Sequence, residues 1–298
     1  MRRAAVFARQ LIALALCLAA APVAAETARL NHVVWRGGPM TLGGLSGLEM
    51  TAGGTRLIAI SDRGRIISAA IERDAEGRIT EIAEPSIVRL LDPDGTWPSA
   101  PAMRDSEGLA LMPDGDLAVS YENFHRFVVH AQDGRVRRSL PRPLQVFALQ
   151  ANLGFEALAV DPEGRLLAVP ELYYWRRPTY PLLRLEGDRW RVAAQMPVDV
   201  PPWNPVGMDM DSDGRLYLVE RIFRMSEGFR SRIRRLSFDG DGPMQAETLL
   251  ETGPADYGNL EGIAVWHDAQ GRTILTLVTD DNFNPFLPTE IVEFVVPD

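Results

Sequence analysis

Short apolar runs alternate with glycine-centred polar turns along this chain, and the alternation repeats. The stretch Asp105-Ser-Glu-Gly-Leu-Ala-Leu-Met112, Pro113-Asp-Gly-Asp116, Leu117-Ala-Val-Ser-Tyr-Glu122 shows the unit in full. Leu45 to Asp62 is a second copy, and three more begin at Phe155, Val206 and Leu260. Within each copy two runs rich in Val, Leu and Ile alternate with small or polar residues at the period of two that a strand requires. The turn between them is mostly Asp-Gly or Glu-Gly, which supplies the positive φ of a tight hairpin. Gly47 to Gly54, Gly108 to Gly115, Ala157 to Gly164 and Gly207 to Gly214 are each seven apart. Gly262 to Gly271 is nine, a two-residue insertion.

Successive copies start 61, 49, 50 and 55 residues apart. Weaker apolar runs lie between them, at Ile66–Ile71, Phe127–His130, Leu182–Leu185 and Ile233–Phe238. Units of this length, with two strong strands followed by weaker ones, match four-stranded propeller blades. The last copy has one further strand, Glu290–Val296, and the chain offers an orphan strand, Leu30–Trp35, near its start. Pairing the two would close the ring and remove its exposed edges. The expectation is an all-β protein, a β-propeller of five four-stranded antiparallel blades forming one domain over residues 26–298. Six blades would require one that lacks the motif. A β-sandwich or β-solenoid is the competing arrangement.

The first residues follow a different pattern. Arg2, Arg3 and Arg9 precede an apolar run, Leu11–Ala21, and Val23-Ala-Ala25 has the small residues of a cleavage site. Residues 1–25 read as a secretory signal peptide, so the mature protein is expected in the periplasm or outside the cell. The run is too short to span a membrane. The only cysteine, Cys17, lies within it, which leaves the mature chain without disulfide or thiol chemistry.

Charge narrows the partners. The chain has no lysine, 31 arginines and 40 acidic residues, a net charge of −9. Without the three arginines of the signal segment, 28 face 40, a net of −12. Such a surface lacks the basic footprint that nucleic acid demands and suits divalent cations or cationic ligands. Acidity that serves only solubility predicts the same composition.

The candidate chemistry follows from the repeat. If Met112 and Leu117 flank their turn, Glu107 sits opposite Glu122, and Glu156 opposite Glu171. Hairpin partners lie about 5 Å apart, and innermost strands line the axis of a propeller. Strand starts then deliver Glu107, Glu156 and Glu261 to one mouth, with Ser46 and Val206 in the other two blades. Strand ends deliver Asp62, Glu122, Glu171, Glu220, and Asp280 or Asp281. So many like charges repel unless neutralised. Oxygen donors without cysteine favour a hard ion, Ca2+ before Mg2+. We assign Asp62, Glu122, Glu171, Glu220, Glu261 and Asp280 as metal ligands, and Glu107 and Glu156 as catalytic carboxylates. His32, His125, His130 and His267 are scattered and fit no zinc spacing. Asp114, Asp133, Glu163 and Asp213 read as turn formers.

Arginines flank these acids, among them Arg63, Arg104, Arg176, Arg177 and Arg221. Their planar forks suit phosphate or carboxylate, so Arg63, Arg104, His125 and Arg221 are candidate substrate-binding residues. Simple pairing of each arginine with its acidic neighbour is the competing reading. Gly-x-Ser-x-Gly is absent, Ser46 has no partner histidine in view, and no glycine-rich phosphate loop is present.

These residues also carry a resemblance. Gly44-Leu-Ser-Gly-Leu48 with Ile60-Ser-Asp-Arg-Gly64, Asp105-Ser-Glu-Gly-Leu109 with Tyr121-Glu-Asn123, Asn152-Leu-Gly-Phe-Glu-Ala157, and Asn259-Leu-Glu-Gly262 with Thr279-Asp-Asp-Asn-Phe-Asn284 occur in that order. In this the chain resembles the phytase-like β-propeller family of secreted bacterial proteins, described by an "esterase-like activity of phytase", over residues 30–297. The resemblance implies hydrolysis of phosphate or other esters with calcium assistance. The expected protein is a monomeric, metal-assisted ester hydrolase acting on a small anionic ester. The alternatives are a non-catalytic binding or scaffold propeller and a lactonase-like metal hydrolase.

Overall fold

The computed structural model describes residues 26–36, 42–143, 154–171, 179–197, 199, 203–237, 244–254 and 256–297. The signal segment, Asn152, Leu153, Arg176, Arg177 and Phe238 lie outside the described residues. Among the described residues there is no α-helix, and the strands form five antiparallel sheets. Strand β1 (Ala28–Val34) precedes the first blade and belongs to the last. Blade one runs β2 (Leu45–Thr51), β3 (Arg56–Ser61) and β4 (Arg65–Arg73), with its outer strand split into β5 (Ile79–Ile82) and β6 (Ser86–Arg89). Blade two is β7 (Ser106–Leu111), β8 (Leu117–Tyr121), β9 (Arg126–His130) and β10 (Val136–Leu140). Blade three is β11 (Ala157–Val160), β12 (Leu166–Val169), β13 (Thr179–Glu186) and β14 (Arg189–Pro197). Blade four is β15 (Asn204–Met210), β16 (Leu216–Arg224), β17 (Gly228–Ser237) and β18 (Gln245–Glu251). Blade five is β19 (Asn259–His267), β20 (Thr273–Asp280), β21 (Glu290–Val296) and, outermost, β1. The molecule is a five-bladed β-propeller.

Both faces of each blade are covered, which explains the nearly continuous apolar runs. Consecutive strand residues point to opposite faces, so Leu57 packs towards blade five beside Trp266 and Ile274. Its neighbour Ile58 packs towards blade two beside Leu117 and Val119. Apolar clusters of this kind fill all five junctions. The five turn glycines of the repeat take φ between 77° and 84°.

Closure of the ring joins the two ends of the chain. Strand β1 pairs with β21 from Ala28 opposite Val295 to Val34 opposite Glu290. Behind this seam Glu293, 0% exposed, receives both arms of the Arg73 guanidinium at 2.7 Å, Asn31 Nδ2 at 2.6 Å and Thr276 Oγ1 at 2.8 Å. Blade five is thus tied to blade one by a buried charge whose oxygens are hydrogen-bonded, the condition under which such burial is tolerated.

The inner strands β2, β7, β11, β15 and β19 touch in sequence around the axis. Small residues, Gly47, Gly108, Ala157, Gly207 and Gly262, stand at the contacts. A Cβ on Gly207 would lie 2.1 Å from the Glu261 carbonyl oxygen, and one on Gly108 2.6 Å from that of Glu156. The space between these residues, Leu109, Leu158 and Met208 holds no water-sized molecule. The axis is therefore shut, and each face has its own mouth. No helix among the described residues is long and apolar enough to cross a membrane.

Candidate functional site

The hairpin register differs from the expected one in a way that builds the site. Ser106, not Glu107, pairs across the hairpin, with Tyr121, and Leu109 pairs with Val119, so Glu107 and Gly108 both face Ser120. This is a β-bulge, and it recurs. The register slips between Leu45 and Leu48, between Pro205 and Gly207, and between Leu260 and Gly262. In blade three the Glu171 N–H donates to the Gly154 carbonyl at 3.0 Å while Ala157 pairs with Val169, the same slip. A bulge re-aims one side chain out of the pleat. Here that residue is Ser46, Glu107, Glu156, Val206 or Glu261, immediately before the small residue on the axis. In blade two the Ser120 hydroxyl fixes the bulge, accepting from the Gly108 N–H at 2.8 Å and donating to the Phe155 carbonyl of blade three at 2.5 Å.

The second strands end at equivalent points. Backbone N–H groups of Asp62, Glu122 and Glu171 donate to the carbonyls of Gly44, Asp105 and Gly154 at 2.9, 3.0 and 3.0 Å. Asp280 pairs with Asn259, and Arg221 with Asn204. Blade four therefore presents Arg221 where the others present a carboxylate. This corrects the placement of Glu220 in the ring. Glu220 lies one residue early and so points to the other face. There it is 1% exposed, held by Arg234 at 2.6 and 2.7 Å and by Arg232 at 2.9 Å. Burial raises its pKa against the pull of both arginines.

The mouth is a cavity of about 510 Å3. It brings together Asp62, Glu107, Glu122, Glu156, Glu171, Glu261, Asp280 and Arg221 from the expected set, with Ser46, Asp105, Asn204, Phe223, Phe229, Asn259 and Asn282. Asp105, Asn204 and Asn259 were not anticipated. They stand two residues before Glu107, Val206 and Glu261, a repeat position that alignment of the copies exposes. Of the pair at the end of β20, Asp280 lines the cavity. Asp281 instead accepts from Gly44 N–H at 2.9 Å, Phe283 N–H at 2.9 Å and Thr289 Oγ1 at 2.7 Å, which ties the first and last blades.

Electrostatically the cavity has two halves. In one, Arg221 bridges Glu261, Glu171 at 3.4 Å and Glu156 at 3.9 Å, and donates to Asn259 Oδ1 at 3.0 Å. Burial opposes its charge, but the three carboxylates outweigh burial and raise its pKa. Burial and Glu171 push the Glu156 carboxyl well above the usual range, with Arg221 in opposition. Glu261 rises to about 7, through burial against Arg221.

In the other half no arginine among the described residues forms an ion pair with the acids, and Arg63 only opposes the rise of Asp62 from a distance. Oxygens of Asp105, Glu107 and Glu122 lie within 4.8 Å of one another, and Asn123 Nδ2 steadies Asp105 at 2.9 Å. Burial and the charges of Glu261, Asp105, Glu122 and Asp62 push Glu107 well above the usual carboxylate range. Burial and Asp105 raise Glu122 to about 7. Burial and Asp280 raise Asp62 to about 7. The Asp62 Oδ1 atom is buried without a hydrogen-bond donor. The converging oxygens of Asp105, Glu107 and Glu122 fit a hard divalent cation, and the orphaned oxygen of Asp62 lies in the same wall.

Besides Glu220, three candidates lie outside the cavity wall. Arg104 donates to the carbonyls of Pro98 and Ser99 at 2.5 and 2.6 Å and stacks on Trp97, so it braces that segment. Arg63 is exposed and lies 3.5 Å over the Phe283 ring. His125, at φ 45° in the turn after Glu122, keeps a buried Nδ1 with no partner. Of the arginines beside the ring acids, Arg221 pairs with acids of other strands and not with adjacent Glu220; arginine–acid pairs close in sequence occur instead at the turns, as in Arg165 with Asp161 and Arg215 with Asp211, both at 2.7 Å.

Comparison with known proteins places this arrangement. No curated protein matches the sequence. Similar solved structures include a virginiamycin B lyase from Staphylococcus aureus, 13% identical, with 91% of this chain and 99% of that chain covered and a TM-score of 0.44. A gluconolactonase from Xanthomonas campestris is 14% identical, with 86% of each chain covered and a TM-score of 0.45. A family model described as phytase-like, "esterase-like activity of phytase", matches residues 40–283. That match runs from just before the first blade to the loop beyond Asp280, through every bulge and every strand end of the ring, and the chain belongs to the phytase-like family.

Proposed function

We propose that this protein is an exported, calcium-dependent hydrolase of phosphate esters. The family supports an ester hydrolase of the propeller type. The observation that carries the finer reading is the uncompensated half of the cavity. There Asp105, Glu107 and Glu122 converge beside the orphaned oxygen of Asp62. These four residues would hold the ion. When bound, calcium supplies the positive charge that polarises a phosphoryl oxygen and activates water.

The chain's own groups do the rest. Glu156 is a strong proton acceptor once ionised, because burial and Glu171 raise its proton affinity. It takes a proton from the attacking water as the new P–O bond forms, and returns it to the alkoxide as the old bond breaks. Arg221 fixes Glu156, Glu171 and Glu261 in place, and Arg63 at the rim meets the incoming anion. Export follows from the signal segment and would bring the protein to compartments where calcium is available.

A second reading is a non-catalytic binding propeller. Arg221, the only cation among the described residues of the cavity wall, is saturated by three carboxylates. Without a metal ion the cavity would favour a cationic ligand over an anion. Hydrolysis of a chromogenic phosphate monoester, diester and carboxyl ester by the chelated protein, with and without added calcium, separates the readings. Calcium-restored turnover of the phosphate esters is expected. A folded, calcium-loaded protein that turns over none of them would leave the binding propeller, and preference for the carboxyl ester would indicate a lactonase-like enzyme.

A further inference from the structure

The described residues expose six large apolar side chains: Phe124, Val192, Phe223, Met225, Phe286 and Leu287. Isolated cases need no explanation, but these are not scattered. All except Val192 lie on or beside the links between second and third strands, in blades two, four and five. Those links all open onto the face that carries the carboxylate cavity. Met225 is 95% exposed and Phe286 90%.

Blade four shows how this surface joins the site. Strands β16 and β17 stay paired beyond Arg221, out to Arg224 opposite Gly228, and so raise a wall above the cavity. Phe223 and Phe229 are direct partners on this wall, with ring centroids 4.8 Å apart. Both rings line the cavity. In blade four an aromatic pair thus borders the chamber of carboxylates directly.

We propose that the substrate is an amphipathic ester whose uncharged alkyl or aryl group lies on Phe223 and Phe229 while its anionic head enters the cavity. This rests on the ester-hydrolase reading above and adds the class of the leaving alcohol. Aromatic rings beside carboxylates could also serve an ammonium group. The exposure of this surface favours the uncharged group: Phe223 is 58% exposed and Met225 beyond it 95%, apolar area that an alkyl or aryl chain covers and a compact ammonium group leaves in water.

The test uses three monoesters of primary alcohols, so that leaving-group chemistry is matched: n-hexyl phosphate, glycerol phosphate esterified at a primary carbon, and phosphocholine. With the calcium-loaded mature protein, kcat/KM for hexyl phosphate should exceed that for glycerol phosphate by about tenfold or more, mainly through KM. Phe223→Ser, a change at a 58% exposed position, should bring the ratio close to one. Equal kcat/KM for the three esters, or preference for phosphocholine, would overturn the inference while leaving the hydrolase intact. If no ester turns over, calorimetric titration with hexyl phosphate decides. Saturable binding weakened at least about fivefold by Phe223→Ser upholds the apolar site without the reaction, and absence of binding removes it.

Discussion

Arg221 stands where four other blades place a carboxylate, and it makes the cavity asymmetric. It neutralises Glu156, Glu171 and Glu261 from within, so an added cation is drawn to the opposite half. Replacing it with Met would leave three buried acids facing one another. Removal of one partner from a buried ionic cluster costs about 3–5 kcal/mol. That loss should appear in urea unfolding of Arg221→Met at pH 8 and shrink at pH 5, where the carboxyls take up protons. Glu107→Gln should behave in the opposite sense. It removes a repelled charge, so the metal-free protein should melt no lower than the parent, while calcium-dependent hydrolysis falls by about 100-fold or more. Full activity in that variant would remove Glu107 from the site.

At the level of the element, the bulge and the small residue behind it decide where the acids point. Gly207→Ala would drive a methyl group against the Glu261 carbonyl across the junction of blades four and five. Overpacking of this kind costs about 1–3 kcal/mol, more where backbone must move. A lowered melting temperature with no change for Gly214→Ala's neighbour-free turn would not be a fair contrast, because Gly214 itself needs φ 77°. Ala157→Gly is the better control, since it adds no atoms at the matching position of blade three. Strands, turns and ring closure were legible in the sequence, because alternation and turn glycines are local signals. The register was not, because a bulge inserts one residue without altering the alternation on either side of it. Two one-residue shifts keep Glu107 from facing Glu122: Leu111, not Met112, pairs with Leu117, and the bulge then sets Glu107 against Ser120. Glu220 was misplaced by a related slip. Counting five residues from Leu117 reaches Glu122, and the same count from Leu216 reaches Arg221, not Glu220. Asp105 and Asn259 share one repeat position, and only beyond the bulge do they come opposite the strand-end acids Glu122 and Asp280.

Across the whole molecule, the raised carboxyls make stability depend on pH. Asp62, Glu122 and Glu261 titrate near 7 in the folded chain, against about 4 when unfolded. The folded state therefore holds more protons than the unfolded one between these values, and stability falls as pH rises through 7. Melting of the metal-free protein should occur at lower temperature at pH 8 than at pH 5. Calcium should reverse this at pH 8, adding about 2.7 kcal/mol at a hundred times its Kd, and do little at pH 5, where protons compete for the same oxygens. A melting temperature that rises with pH in the absence of metal would contradict the electrostatic account of the ring.

The ring of small residues that shuts the axis leaves the acidic chamber a blind alley. Nothing that enters can pass through to the far face, so in the proposed reaction alcohol and phosphate would leave by the route the ester took. Traffic is then one-way at any moment, and a lingering product bars the next arrival. Phosphate, the product left deepest in the chamber, should inhibit competitively, raising KM without lowering kcat.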